Sequence, residues 1–198
     1  MPTLTASVNG TLLAQVRTDG YDVMSVAVQG TCVEEEIAEL MMTAGRYPEQ
    51  GESVYLTWIN SYPLKAGDLV EVTIQDVGDT SHDGKTLAEL FPDEVDSVEQ
   101  MDFTPTAELF ADLRSRTRVR ETFRFELQTN RGTAYIGETA KTEHGFGFTV
   151  LWNSQRPGRA SLSLHSYTID SLEKKEAMHD HVREYIEPFS SVRFRVDA

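Results

Sequence analysis

Leu69-Val-Glu-Val-Thr-Ile74 alternates apolar and polar residues, and near the other end of the chain Ser191-Val-Arg-Phe-Arg-Val196 does the same. Period two is the signature of a strand with one buried face. Working back from Leu69, further strand-like runs occupy Ser53 to Ile59, Val23 to Val28, Leu12 to Val16 and Leu4 to Val8. Asn9-Gly10 separates the first two of these, the strongest short signal for a hairpin. The second half repeats the order. Phe123 to Leu127 and Thr133 to Ile136 flank Asn130-Arg131-Gly132, and Phe146 to Trp152 and Ala160 to Tyr167 then stand where Val23 to Val28 and Ser53 to Ile59 stood.

Helical signals interrupt this pattern in three places. Thr31 and Glu34 have capping-box spacing, and Val33, Ile37, Leu40, Met41 and Ala44 follow at helical intervals before Gly45. These residues predict a first helix whose outer face carries Glu34, Glu35, Glu36 and Glu39. Thr104-Pro105 predicts the start of a short helix through Leu109, Phe110 and Leu113, and Asp170 with Glu173 predicts a third over about Ser171 to Ile186, ended by Pro188. The expected fold is α+β. Two diverged β-rich repeat units of antiparallel strands, residues 1–78 and 121–198, each carry a packed helix and are joined by an acidic linker, short helix and Arg-rich segment over residues 79–120.

Charge is divided as unevenly as structure is repeated. Residues 1–100 hold 18 Asp/Glu against four Lys/Arg, whereas residues 101–198 hold 14 of each, so the net charge of −14 sits in the first half. An acidic balance disfavours nucleic acid, whose phosphates are bound by Lys and Arg, and suits a basic partner. Cys32 is the only cysteine, which excludes an internal disulfide and fits a reducing compartment. Without a signal-like N-terminus or a long apolar run, the expectation is a cytoplasmic protein with no membrane association.

The chemical motifs are weak. No nucleophile elbow, zinc-protease, Walker or dinucleotide motif occurs. His179-Asp180-His181 invites a metal reading, but within the expected helix residues i and i+2 point apart, so no metal site is predicted. Cys32 reads as a small buried hydrophobe, and Gly145-Phe-Gly147 as a bulge or close packing. Asp93, Glu94 and Asp96 lack the spacing of a calcium loop. Arg114, Arg116, Arg118, Arg120 and Arg124 fall at even positions, opposite Val119, Phe123, Phe125 and Leu127, as one face of a strand would place them. The net charge favours structural roles for them, as edge protection or as partners of the acidic segment Asp79 to Asp102.

Val8-Asn9-Gly10, Val23-Met-Ser-Val26, Leu56-Thr-Trp58 and Leu64-Lys-Ala-Gly67-Asp68-Leu-Val-Glu-Val-Thr-Ile74 together resemble a group of small uncharacterised bacterial proteins sharing an NG, a VLSV, a W and an LKxGDxVxIxI ending. The second unit follows this pattern only faintly, and Pro188-Phe-Ser-Ser191 stands in place of its Gly-Asp turn. In size and acidity such proteins are similar to the immunity proteins that neutralise bacterial toxins. The resemblance implies a non-enzymatic binding protein without a cofactor or catalytic residues, whose partner is a basic protein, most concretely a toxin. The expected contact residues are Glu34, Glu35, Glu36 and Glu39, with Asp93, Glu94, Asp96 and Glu99 in the linker. The alternative is a small-ligand or enzymatic module with a pocket between the units, for which His165, Tyr167 and Asp170 are the best set.

Overall fold

The computed structural model describes residues 2–93 and 105–198. Twelve strands occur among them: β1 (Thr3–Val8), β2 (Thr11–Arg17), β3 (Val23–Thr31), β4 (Ala38–Arg46), β5 (Val54–Leu64), β6 (Leu69–Gln75), β7 (Arg124–Thr129), β8 (Ala134–Glu138), β9 (Gly145–Asn153), β10 (Ala160–Tyr167), β11 (His179–Ile186) and β12 (Ser191–Asp197). The described helices are short: α1 (Leu87–Leu90), α2 (Ala107–Ser115) and α3 (Ile169–Glu173). None is long and apolar enough to cross a membrane.

The strands form two six-stranded antiparallel sheets, ordered β2-β1-β6-β12-β7-β8 and β11-β10-β9-β3-β4-β5. Alternation puts Leu4, Ala6 and Val8 of β1, Val70, Val72 and Ile74 of β6, and Val192, Phe194 and Val196 of β12 on the inner face of the first sheet. Met24, Val26 and Val28 of β3 face them from the second sheet with Phe146, Phe148, Val150 and Trp152 of β9. Aromatic contacts mark where the sheets meet. Phe148 stacks on Phe194 at 4.4 Å with rings 3° from parallel, and Phe125 meets Phe146 edge-on at 4.9 Å.

Exchanging each strand of the first half with the strand six places later turns both sheet orders into themselves read backwards. Both halves contribute to both sheets, with β6 beside β12 and β3 beside β9 at the centre. One clasp occurs twice. The Asn9 side-chain oxygen accepts from the Leu69 N–H at 2.9 Å and the Asn130 oxygen accepts from the Ser191 N–H at 3.0 Å, so each hairpin asparagine holds the first residue of a closing strand. Asn9 and Gly10 both adopt positive φ, 52° and 78°, as the two-residue turn requires. The asparagine amide donates to the Asp68 carboxylate in the first half and to the Phe189 carbonyl in the second. A backbone group thus replaces the aspartate missing from the second half.

Two expected helices are strands. Residues 32–37 form a loop and Ala38 to Arg46 form β4, where Ala38, Leu40, Met42 and Ala44 point inward while Glu39, Met41 and Thr43 are more exposed. Leu40 and Ala44 fit both a helical and an alternating period, and pairing with β3 and β5 on either side selects the strand. Among the described residues the Thr31 hydroxyl caps nothing and has no hydrogen-bond partner. The expected third helix shortens to α3, whose N-cap is Thr168 and which is followed by Lys175 at positive φ; His179 to Ile186 then form β11. The helices are therefore too short to be the packed helices expected of each unit. Recognising β4 and β11 also changes the strand correspondence, because Ala160–Tyr167 matches β4 in the topology rather than β5.

The segment after β6 is a strap. The Ser81 N–H donates to the Gln15 carbonyl of β2, and Lys85 exchanges two backbone bonds with Thr57 of β5. The Trp58 indole donates to the His82 carbonyl at 2.9 Å. Residues 78–85 thus cover the free edges of β2 and β5, which would otherwise offer unpaired backbone for aggregation. The short helix expected from Thr104 appears as α2, capped by Thr106 and burying Phe110; Thr104 itself lies outside the described residues.

Candidate functional site

The expected arginine strand does not form. Arg114 lies in the last turn of α2, residues 116–123 are irregular, and β7 begins at Arg124. The guanidinium groups instead tie separate segments together. Arg114 pairs with Asp170 at 2.7 Å and with Glu173, both on α3. Arg116 pairs with Asp112 and Glu34, and Arg118 donates to the Glu121 and Glu143 carbonyls. Arg120 is half-buried and donates to three backbone carbonyls, those of Thr31 at 2.8 Å and of Glu34 and Glu35 at 2.7 Å each. Burial pushes its pKa down, and the nearby Cys32 and Glu36 oppose that shift. Besides Asp112 and Glu121 nearby in the chain, these partners lie at the end of β3, in the 32–37 loop, on α3 and in the Glu143 turn. Of the acidic segment Asp79 to Asp102, residues 79–93 supply none of them and the rest lies outside the described residues.

Held this way, the loop presents Glu34, Glu35 and Glu36 to solvent, with Glu39 beside them at the start of β4. Glu34 pairs with Arg116, while among the described residues Glu35, Glu36 and Glu39 form no ion pair. Glu34, Glu36 and Glu39 line a depression of about 400 Å³ with Gln29, Thr31 and Tyr167. Its wall therefore combines residues of the first half with one of the second. Asp93 is exposed in a turn after α1, and Glu94, Asp96 and Glu99 lie outside the described residues.

His165, Tyr167 and Asp170 do not converge on one cavity. His165 and Tyr167 alternate with the buried Ser166 and point to the outer face of the second sheet. There they cover two glycines of β9: a Cβ at Gly147 would meet the His165 ring at 2.8 Å, and one at Gly145 would collide with the Tyr167 hydroxyl. Close packing is thus the role of Gly145 and Gly147. His165 borders a separate depression with Asp180, Arg183 and Tyr185, and Asp170 is held by Arg114. Cys32 is buried and its thiol pKa is raised by burial, against Arg118 and Arg120.

Burial also pushes His165 below its ordinary value of 6.5, with Asp180 opposing. A histidine whose folded pKa is depressed contributes stability that is complete above the unfolded value and lost as pH falls below it. Denaturant midpoints are therefore expected to drop as pH falls from about 7 to 5.5, and His165→Gln is expected to flatten that slope. Equal slopes for both proteins would show that His165 does not contribute.

A second cluster lies at the open edge between β8 and β11. His179 Nδ1 is 3.0 Å from Glu143 Oε1, and the two histidine rings are 4.4 Å apart. His181 lies between the Tyr135 hydroxyl, 2.8 Å from Nδ1, and the Ser166 hydroxyl, 2.8 Å from Nε2. Glu143 is buried, and its Oε2 accepts from the Ala140 N–H at 2.7 Å. Burial would raise the Glu143 carboxyl, but hydrogen bonds from Ser166, Ala140 and His179 hold it below its ordinary value. Burial, followed by the neighbouring His179, pushes His181 below 6.5.

A β-bulge builds this arrangement. Ile186, Glu184 and Val182 pair with Ala160, Leu162 and Leu164, and then the register slips so that Asp180 faces His165 and His179 faces the inward Ser166. Uninterrupted alternation from Val182 would turn Asp180 inward and both histidines outward. The inserted residue is His181, which packs edge-on against Phe125 of the opposite sheet. Glu143 carries no local sequence signal, but His179-x-His181 read as a strand places both imidazoles on one face.

No family model, curated protein or solved structure matches this chain.

Proposed function

We propose that the protein is a non-enzymatic binding protein whose acidic loop engages a basic protein partner, most concretely a bacterial toxin that it neutralises as an immunity protein. The observation that carries this reading is the grip of Arg120 on the backbone carbonyls of Thr31 at the end of β3 and of Glu34 and Glu35 in the loop, which orders the main chain while, among the described residues, Glu35 and Glu36 form no ion pair. A loop ordered before encounter loses less conformational entropy on binding. Carboxylates concentrated on a chain of net charge −14 steer a cationic partner and raise its association rate. The depression beside Glu34, Glu36 and Glu39 accommodates one Lys or Arg side chain, with Tyr167 as its aromatic wall.

The exchange symmetry of the two sheets and the repeated asparagine clasp support a further proposal, that the chain arose by tandem duplication of a six-stranded unit. The binding loop of the first unit has no acidic counterpart in the second. Between β9 and β10, where its topological equivalent lies, the chain reads Ser154-Gln-Arg-Pro-Gly-Arg159.

Affinity capture from the native cells at low and moderate salt, repeated with a variant carrying Gln at Glu34, Glu35, Glu36 and Glu39, tests the binding reading. Capture of a basic protein is expected to weaken as salt rises. The variant is expected to bind it about 10- to 100-fold more weakly, with a flatter salt dependence and most of the change in association rate. Co-expression should relieve that protein's toxicity with the natural chain and not with the variant. Equal capture and protection by both proteins would remove the loop from the interface.

A further inference from the structure

We propose that Glu143, His179 and His181 bind one divalent transition-metal ion of the zinc type. Two imidazoles and a carboxylate form a donor set suited to zinc and its neighbours, and three protein ligands leave a fourth position for water. One donor atom from each residue lies within 4.8 Å of the other two, and the His179–Glu143 pair is already at 3.0 Å. Metal–ligand distances of about 2.0–2.1 Å put donor atoms about 3.3 Å apart, so coordination requires adjustments on the order of 1 Å.

Three features suit these residues to a metal. The bulge in β11 turns both histidines toward Glu143, and bulges frequently re-aim side chains at functional sites. Glu143 is fixed by the Ala140 N–H through Oε2, leaving Oε1 directed at His179. Tyr135 lies 2.8 Å from Nδ1 of His181, so in the tautomer with its proton on Nδ1 the ring donates to the Tyr135 hydroxyl and presents Nε2 to the ion, in the manner of an outer-shell partner. Coordination through Nε2 replaces its hydrogen bond with Ser166. His179 is 59% exposed and gives the ion a path from solvent. None of these groups belongs to the acidic loop, so the proposal stands apart from the binding function.

The same contacts could simply close a sheet edge with hydrogen bonds, and metal titration separates the two roles. Tag-free protein is titrated with Co²⁺ near neutral pH while its visible ligand-field absorption is followed, and Zn²⁺ is then added to displace the cobalt. The expected result is saturation at one equivalent and complete displacement by zinc. His179→Ala, at an exposed position, is expected to keep its circular dichroism spectrum and lose more than 100-fold in affinity. Tyr135→Phe is expected to lose about 10- to 100-fold. Glu143→Gln is expected to remove the saturable bands while keeping an acceptor for the Ala140 N–H. Absence of saturable uptake, or uptake that His179→Ala leaves unchanged, would overturn the proposal.

Discussion

Phe194→Ala is expected to destabilise the protein by about 3–5 kcal/mol, among the largest losses from a single truncation. Phe194 is fully buried on β12, one of the two central strands of its sheet. Its ring stacks on Phe148 of the opposite sheet at 4.4 Å and on Phe125 of β7 at 6.0 Å. Truncation removes that apolar area and leaves a void between two hydrogen-bonded sheets, which cannot collapse locally without shifting a whole strand. Phe194→Leu retains much of the volume and is expected to cost about 1–2 kcal/mol. Denaturant unfolding of the three proteins checks the order, and thermal melting should show a drop on the order of 10 °C for the alanine variant. A loss below about 1 kcal/mol for Phe194→Ala would mean that the sheets do not pack through this residue.

Arg120→Ala is expected to cost about 2–3 kcal/mol, a figure discounted for the partial exposure of the guanidinium. Three carbonyls lose a charged donor at once, and two of them belong to the loop carrying the acidic residues. Amide hydrogen exchange is expected to rise through residues 32–37 while the strands β3 and β9 stay protected. Arg120→Lys keeps the charge but not the planar fork that reaches all three oxygens, so it is expected to restore less than half of the stability. The same variant links fold to function. If an ordered loop is what the partner recognises, Arg120→Ala should weaken binding although no carboxylate has changed. Unchanged exchange and unchanged stability would show that the loop is held by its own contacts.

Strand identity was legible where the alternation had no helical competitor and a turn follows. Val70, Val72 and Ile74 alternate without competition, and Asn9-Gly10 and Asn130-Arg131-Gly132 mark hairpins that form. The closing strands of both halves were also legible, because each carries its own alternation. β4 and β11 were misread because Leu40 and Ala44, like Val182 and Ile186, are four residues apart and satisfy a helical period as well as a strand period. Such short apolar patterns are decided by hydrogen bonding to distant strands rather than by local preference. Treating β11 as a helix then separated two histidines that a strand places together.

The sequence by itself determined the β-rich antiparallel character, the two hairpin turns and the concentration of acidic charge in the first half. Only the tertiary structure decided that both halves share both sheets, that Arg120 grips the acidic loop by its backbone, and that Glu143 meets His179 and His181. The physical reason is range. Alternation and turn chemistry are written in residues a few positions apart, whereas Arg120 meets Glu34 across 86 residues and Glu143 meets His179 across 36, distances that only the pairing of strands brings to contact.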